Sequence, residues 1–198
     1  IHDVDYDKNT IKLLIQQVGR GTESLSRLNQ DDYLNVIYPL GNSFSMPLPG
    51  EKVLIAGGGT GFAPLFFLAK YLNSQGFYPD IVLGFRNRNK IIVSDELAGF
   101  GNVSITTEDG SEGIKGIVTD HPVFKNKKFD RIYCCGPRLM MKAVEDYAKS
   151  NRINCEVSLE NLMACGIGIC LCCIERTTHG NLCTCTDGPV FNINELLW

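Results

Sequence analysis

Long apolar runs are missing from this sequence. No stretch approaches the ~20 consecutive apolar residues that a membrane-crossing helix needs, which excludes a helical span. A surplus of positive charge is missing too. Nineteen Lys and Arg stand against twenty-two Asp and Glu, a formal net charge of −3, whereas binding to nucleic-acid phosphates requires clustered Lys and Arg. The opening residues Ile1-His2-Asp3-Val4-Asp5 do not read as a secretory signal. Histidine is scarce, and His2, His121 and His179 lie at no spacing that marks a catalytic triad or a metal site. There is no internal repeat, no low-complexity tract, no Gly-x-Gly-x-x-Gly fingerprint and no Walker loop. Cysteine is absent before Cys134.

What is present is an ordinary globular composition, 198 residues with 44% hydrophobic and 21% charged. That is enough for one large domain or two small ones with a real core. It also holds an unusual run of cysteines: Cys134, Cys135, Cys155, Cys165, Cys170, Cys172, Cys173, Cys183 and Cys185. An odd number crowded at one end, with no secretion signal, favours metal or cluster ligation over a disulfide framework.

Three zones follow from composition. Residues 1–49 read as β-rich, with strands at Ile11–Gln16 and Tyr33–Ile37 and a short helix capped by Thr22. Two strands and a helix cannot close a core alone, so this zone reads as part of a larger β domain whose first strands lie upstream. Pro47-Leu48-Pro49-Gly50 is the natural linker. Residues 50–151 alternate apolar strands (52–56, 80–85, 103–107, 129–134) with helices at Thr60–Leu72 and Pro137–Lys149, which predicts a parallel sheet covered on both faces. Residues 152–198 open with a last strand at Cys155–Leu159. They then turn to cysteine and glycine with little regular structure signalled, a small lobe organised around an inorganic centre. The fold class is therefore α/β with a β part and a cysteine lobe.

The cysteine lobe carries the most specific motif. Cys165-x4-Cys170-x2-Cys173 has the three-ligand spacing of plant-type [2Fe-2S] ferredoxins. Cys183 and Cys185 are both candidates for the fourth ligand. Gly166 and Gly168 suit a tight loop whose amides turn inward to an anionic cluster. Cys172, one residue off the spacing, is expected to face elsewhere. A four-cysteine zinc site is the alternative, although zinc prefers paired C-x2–4-C knuckles.

The second motif is Gly57-Gly58-Gly59-Thr60-Gly61, between an apolar strand and a helix. Amides at a helix start attract a pyrophosphate. Cys134-Cys135-Gly136-Pro137 ends a later strand, and ligands in open α/β sheets bind beyond the carboxyl ends of the strands. The two motifs are thus predicted to share one rim. Gly19-Arg20-Gly21-Thr22 reads first as a helix cap. Met140 and Met141 read as core, Cys155 as a packed strand residue, and Arg86 and Arg88 as a solvated pair.

In this order, Gly21-Thr22, then Gly-Gly-Gly-Thr-Gly-Phe-Ala-Pro (57–64), Cys-Gly-Pro (135–137) and a C-terminal cysteine lobe, the chain resembles the ferredoxin-reductase superfamily. More closely, it resembles the electron-transfer subunits of bacterial NAD-dependent dihydroorotate dehydrogenase. The stretches that carry this are Glu160 to Cys170, Cys185-Thr186-Asp187-Gly188-Pro189-Val190-Phe191, and Thr107-Glu108-Asp109-Gly110-Ser111 with Gly116 and Val118-Thr119-Asp120. The resemblance covers essentially the whole chain.

That resemblance implies Cys185 as fourth ligand, beside Cys165, Cys170 and Cys173, with Cys183 spare. It implies FAD on a β barrel, contacted here by Leu14, Ile15, Gln16, Gly21 and Thr22. The family's flavin-holding Arg-Pro-x-Ser lies just before the position of Ile1-His2-Asp3. It implies NAD at Gly57, Gly58, Gly59, Thr60 and Gly61, with Cys135, Gly136 and Pro137 beside the nicotinamide. It further implies a cytoplasmic protein and an FMN-containing catalytic subunit as partner in a heterotetramer, with no general acid or base needed in this chain. A ferredoxin:NAD(P) oxidoreductase or hydrogenase diaphorase subunit is the alternative reading, and a zinc-stabilised interaction module a third.

Overall fold

The computed structural model describes residues 1–198. Its centre is a seven-stranded sheet. Strands β3 (Val53–Gly58), β4 (Asp80–Phe85), β5 (Asn102–Thr107) and β6 (Ile114–Lys115) run to one side, and β7 (Arg131–Cys135), β8 (Asn154–Ser158) and β11 (Val190–Asn192) to the other, in the order β11-β8-β7-β3-β4-β5-β6. All pairs are parallel except β11 on β8. The order reverses between β3 and β7, so the crevice beyond their carboxyl ends is the place for a ligand.

β3, β4, β5, β7 and β8 form where short apolar runs predict them; β6 and β11 were not read from the sequence. β3 and β7 are buried on both faces, and alternation sends successive side chains to opposite sides. On one face Leu54, Ala56, Ile132 and Cys134 pack with Val123 and Phe124 of α3 (Val123–Asn126) and with Met141, Val144 and Ala148 of α4 (Arg138–Asn151). On the other, Val53, Ile55, Tyr133 and Cys135 pack with Phe62, Leu65, Phe66, Ala69 and Leu72 of α2 (Phe62–Ser74). No helix is long and apolar enough to cross a membrane.

The first zone departs from expectation. β1 (Asp3–Asp5) pairs antiparallel with β2 (Thr10–Lys12), and β2 stops at Lys12 rather than Gln16. Tyr33–Ile37 forms no strand, because no neighbouring strand takes up its backbone; Tyr33, Val36 and Ile37 stand exposed. The short helix α1 (Arg20–Leu25) begins three residues earlier than predicted, with Gly19 and not Thr22 as its cap. Thr22 sits inside the first turn, its hydroxyl oxygen accepting from the amides of Val18 and Gly19.

Residues 41–51 lie along the sheet and are pinned by polar groups. Arg131, 7% exposed, donates to Glu51 (2.8 Å) and to Ser45 Oγ (2.8 Å). Ser45 in turn donates to Glu156 through its amide (2.9 Å) and hydroxyl (2.6 Å), and Tyr133 Oη donates to the Ser45 carbonyl (2.6 Å). This satisfies a buried guanidinium and two carboxylates together, which burial of charge demands.

The last zone is more regular than its composition predicts. β9 (Ile174–Thr177) and β10 (Gly180–Cys183) form an antiparallel hairpin, and β11 then returns to the central sheet. Phe191, Ile193 and Leu196 bury into the sheet core. Arg138, the first residue of α4, donates to Glu175 of β9 (2.8 Å) and stacks over the Trp198 ring at 4.9 Å. Trp198 Nε1 also donates to the buried Glu145. The hairpin is thereby tied to α4.

Candidate functional site

The glycine loop and the Cys-Gly-Pro turn meet at the strand-order reversal. Gly57 is in register with Cys135, and Cys135 with Ser158. The glycines are demanded as much by this packing as by any ligand. A methyl group on Gly57 would lie 2.6 Å from Leu65 Cδ1, and one on Gly58 would lie 2.7 Å from Met140 Sδ. One on Gly61 would lie 2.5 Å from the Cys135 carbonyl carbon. Gly136, at φ +155°, is pressed against the Gly58 backbone and the Met140 methyl. Gly59 differs: its φ is +55° and the space where a side chain would project is open. Gly59 and Thr60 are half-exposed on the rim, and no side chain caps the start of α2. Beside this rim an anion meets unfilled amides and the positive end of a thirteen-residue helix. The structure thus brings Gly57–Gly61 and Cys135–Pro137 onto one rim, as their places in the sequence predict.

Cys135 is almost fully buried, and burial pushes its thiol up to about 12, a hydrogen bond with Ser158 only partly opposing that. It is a neutral, small, polarisable group at the rim, and neither a nucleophile nor a metal ligand. Ser158 and Met140 were not read from sequence as rim residues. Ser158 could have been found from strand register, as the β8 residue opposite the Cys-Gly-Pro cysteine. Met140 lies one turn into α4, where its side chain closes over Gly58 and Gly136.

In the cysteine lobe the Cys170 amide lies 3.4 Å from Cys165 Sγ, and Cys173, Cys183 and Cys185 form one buried group. A [2Fe-2S] cluster takes four cysteine thiolates over two irons. Between Cys165 and Cys173 the backbone takes left-handed conformations at Gly166 (φ +71°), Gly168 (φ +76°) and Leu171 (φ +57°). That winding turns amides onto sulfur. Ile167 N–H and Cys170 N–H lie 3.5 and 3.4 Å from Cys165 Sγ, and Gly168 N–H lies 3.2 Å from Cys185 Sγ. Those amides hold the Cys165 thiol down to about 6. A loop whose amides turn onto sulfur fits an anionic cluster. Cys172 is exposed and takes no part in this cradle.

Cys183 is nearly buried beside Cys173 and Cys185, and burial raises its thiol. Its amide donates to Asp187 (2.7 Å), and its carbonyl accepts from the amides of Thr186 and Asp187. Thr184 points the other way and donates to the Cys173 carbonyl (2.8 Å). Asn161 Nδ2 reaches the carbonyls of Cys173 and Ile174 (3.4 Å each) and Glu175 (3.2 Å). Asn42 was also missed by sequence reasoning. It donates to the carbonyls of Gly188 (2.6 Å) and Asp187 (2.7 Å) and accepts from Val190 N–H (3.0 Å), clamping the Asp187-Gly188-Pro189 turn. No local signal marks it, because its partners lie some 145 residues away.

The residues named for flavin are not gathered against the rim. Leu14, Ile15 and Gln16 are exposed and lie beyond the end of β2, not on a strand. Gly21 is exposed on α1, and the Thr22 hydroxyl is taken up by its own turn.

Two family models match the chain: the iron-sulfur cluster binding domain of dihydroorotate dehydrogenase B over residues 160–197, and the oxidoreductase NAD-binding domain over residues 54–146. Among curated proteins it is similar to the dihydroorotate dehydrogenase B (NAD(+)) electron transfer subunits of two bacteria. The one from Caldanaerobacter subterraneus subsp. tengcongensis is 39% identical, covering 98% of this chain and 78% of the relative. The one from Clostridium acetobutylicum is 40% identical, covering 100% and 77%. Among solved structures it matches an NADH-dependent reduced ferredoxin-NADP oxidoreductase, studied for flavin-based electron bifurcation. The TM-score is 0.83 at 35% identity, over 93% of this chain and 67% of that one. A ferredoxin reductase of carbazole 1,9a-dioxygenase (TM-score 0.55, 17% identity, 71% of this chain and 46% of that one) shares the fold. A cysteine loop with amides turned onto sulfur, a glycine rim at the strand reversal and identity near 40% along almost the entire chain converge on one assignment: the chain belongs to the electron-transfer subunits of NAD-dependent dihydroorotate dehydrogenase B.

Proposed function

We propose that this chain carries electrons from dihydroorotate, oxidised on an FMN-containing catalytic subunit, to NAD+ bound on its own α/β domain. When bound, a [2Fe-2S] cluster handles single electrons, NAD+ accepts only pairs as hydride, and FAD converts between the two. The residues that hold the cluster in this reading are Cys165, Cys170, Cys173 and Cys185. Gly57–Gly61 seat the dinucleotide pyrophosphate, and Cys135, Gly136 and Pro137 border the nicotinamide. Leu14–Gln16 with Gly21 and Thr22 belong to the flavin side. The corresponding domains are 1–49 (flavin barrel, in part), 50–151 (dinucleotide) and 152–198 (cluster).

The chain's own work is positional. Inward amides face the Cys165 and Cys185 sulfurs, and Cys135, kept neutral by burial, presents an uncharged surface to a nicotinamide ring. The Arg138–Glu175 pair fixes the cluster hairpin to the first turn after Cys-Gly-Pro. The observation that carries the reading is the presence in one chain of a thiol loop with amides aimed at sulfur and a dinucleotide rim joined to it. Leu162, Met163, Ile167, Ile169 and Leu171 stand exposed around Cys165 and Cys170. Apolar residues ringing a one-electron centre suit a protein partner at short range, here the catalytic subunit in a cytoplasmic heterotetramer.

The test is dihydroorotate-dependent NADH formation by the chain, in its full natural length, mixed with the catalytic subunit from the same source. Turnover that needs both subunits supports the relay. Loss of turnover with iron and FAD both bound would move the assignment to a ferredoxin-linked oxidoreductase, which the 35%-identical solved structure makes the second reading.

A further inference from the structure

The lobe contains one more thiol than a four-cysteine cluster uses. The chain turns over 184–187, directly after β10, and Thr184 points away to the Cys173 carbonyl. Cys173, Cys183 and Cys185 form a compact buried group of their own.

Gly168 tells the two apart. It directs its N–H at Cys185 Sγ (3.2 Å) and its carbonyl at Cys183 Sγ (3.9 Å). The segment that turns its amide onto the ligand sulfur thus also holds the Cys183 sulfur beside it. Asp187 and the 183–188 turn hold Cys183 in place. We propose that Cys183 is a reserve ligand, placed to take over the iron position of Cys185 when that sulfur is lost or blocked. The proposal rests on the cluster reading above. With Cys185 intact, exchange would break one iron–sulfur bond at Cys185, form one at Cys183 and move one proton from Cys183 to Cys185; with Cys185 lost or blocked, Cys183 would bind the iron and release its proton to water, and in neither case does an electron change hands. The consequence is a cluster that survives damage at its fourth ligand without leaving the protein.

The experiment uses the full-length chain, expressed and purified anaerobically, with Cys183→Ala, Cys185→Ala, the double variant and Cys170→Ala. Iron and sulfide per chain are measured, together with the electron paramagnetic resonance spectrum after reduction by dithionite. NADH binding reports that each variant has folded. Cys183→Ala should keep full iron and the wild-type spectrum. Cys185→Ala should keep roughly half or more of the iron with altered g-values, because sulfur still completes the site from a shifted position. The double variant should fall to about a tenth or less, like Cys170→Ala. Loss of iron from Cys185→Ala as complete as from Cys170→Ala overturns the proposal. Loss of iron from Cys183→Ala, with the wild-type spectrum kept in Cys185→Ala, overturns the ligand assignment itself. Should Cys185→Ala not bind NADH, Cys185→Ser is compared with Cys183→Ala/Cys185→Ser. A serine oxygen is then common to both, so any difference in iron belongs to Cys183, and equal iron in the two overturns the proposal.

Discussion

Replacing Gly61 by alanine separates two reasons for a glycine in the 57–61 loop. An added methyl would lie 2.5 Å from the Cys135 carbonyl carbon and 2.6 Å from the Gly136 nitrogen. Both are backbone atoms of the Cys-Gly-Pro turn, so no rotamer change relieves the overlap, and the two loops must part. Overpacking of this kind costs ~1–3 kcal/mol; about 2 kcal/mol lowers the melting temperature of a chain this size by roughly 4–8 °C. Gly59→Ala is the contrast. Its methyl meets nothing within 4 Å, and its φ of +55° is the whole conformational cost. That cost is ~1 kcal/mol, or roughly 2–4 °C. Yet its methyl projects onto the open rim where a pyrophosphate must approach the amides. NADH affinity should therefore fall about tenfold or more in Gly59→Ala, an effect of ~1.4 kcal/mol. Thermal melts and calorimetric NADH titrations of both variants decide the matter. A Gly61→Ala protein that melts like wild type would refute the shared packing of the two loops. Undiminished NADH affinity in Gly59→Ala would refute the rim as the dinucleotide site.

Three further outcomes are expected. Arg131→Met leaves Glu51 and Glu156 without their cation in a mostly buried site and should destabilise the fold by about 3–5 kcal/mol in urea titrations; a loss under about 1 kcal/mol would contradict the role given to this network. His121 accepts from Val123 N–H through Nδ1 (3.2 Å), and burial lowers its pKa below 6.5. The unfolded chain therefore takes up the proton first. The stability this residue contributes is complete above ~6.5 and is lost as pH falls below that value. Urea midpoints from pH 7.5 downwards should fall more steeply in wild type than in His121→Asn, and equal slopes would count against the assignment. Iodoacetamide at pH 8 should label exposed Cys172 without release of iron and leave Cys135 untouched, since its thiol sits at about 12. Peptide mapping that finds Cys135 labelled as fast as Cys172 would overturn its burial as a neutral thiol.

Much of the central sheet was readable from the residues. β3, β4, β5, β7 and β8 are short apolar runs ended by Gly, Arg, Glu or Ser, and buried parallel strands have that composition. α2 and α4 follow because the chain must cross back over the sheet between them. The β9–β10 hairpin was missed because Thr, Glu, Arg and Asn carry no apolar alternation there; its register is held from outside by Arg138, Asn161 and Thr184. Tyr33–Ile37 misled for the converse reason. Its composition is strand-like, but strands exist only where a neighbour accepts their hydrogen bonds.

Spacing alone placed Cys165, Cys170 and Cys173 in one tight loop, because ligands three and five residues apart reach a common centre without help from the rest of the fold. Local order likewise put the glycine loop between a strand and a helix. Three other matters were beyond local order. The grouping of Cys173 with Cys183 and Cys185, the contacts of the two ends of Gly168 with Cys185 and Cys183, and the clamp of Asn42 on Gly188 all join residues distant along the chain. Such contacts depend on strand register and on which backbone polar groups remain unpaired after the sheet closes, and neither is written in any short window of sequence.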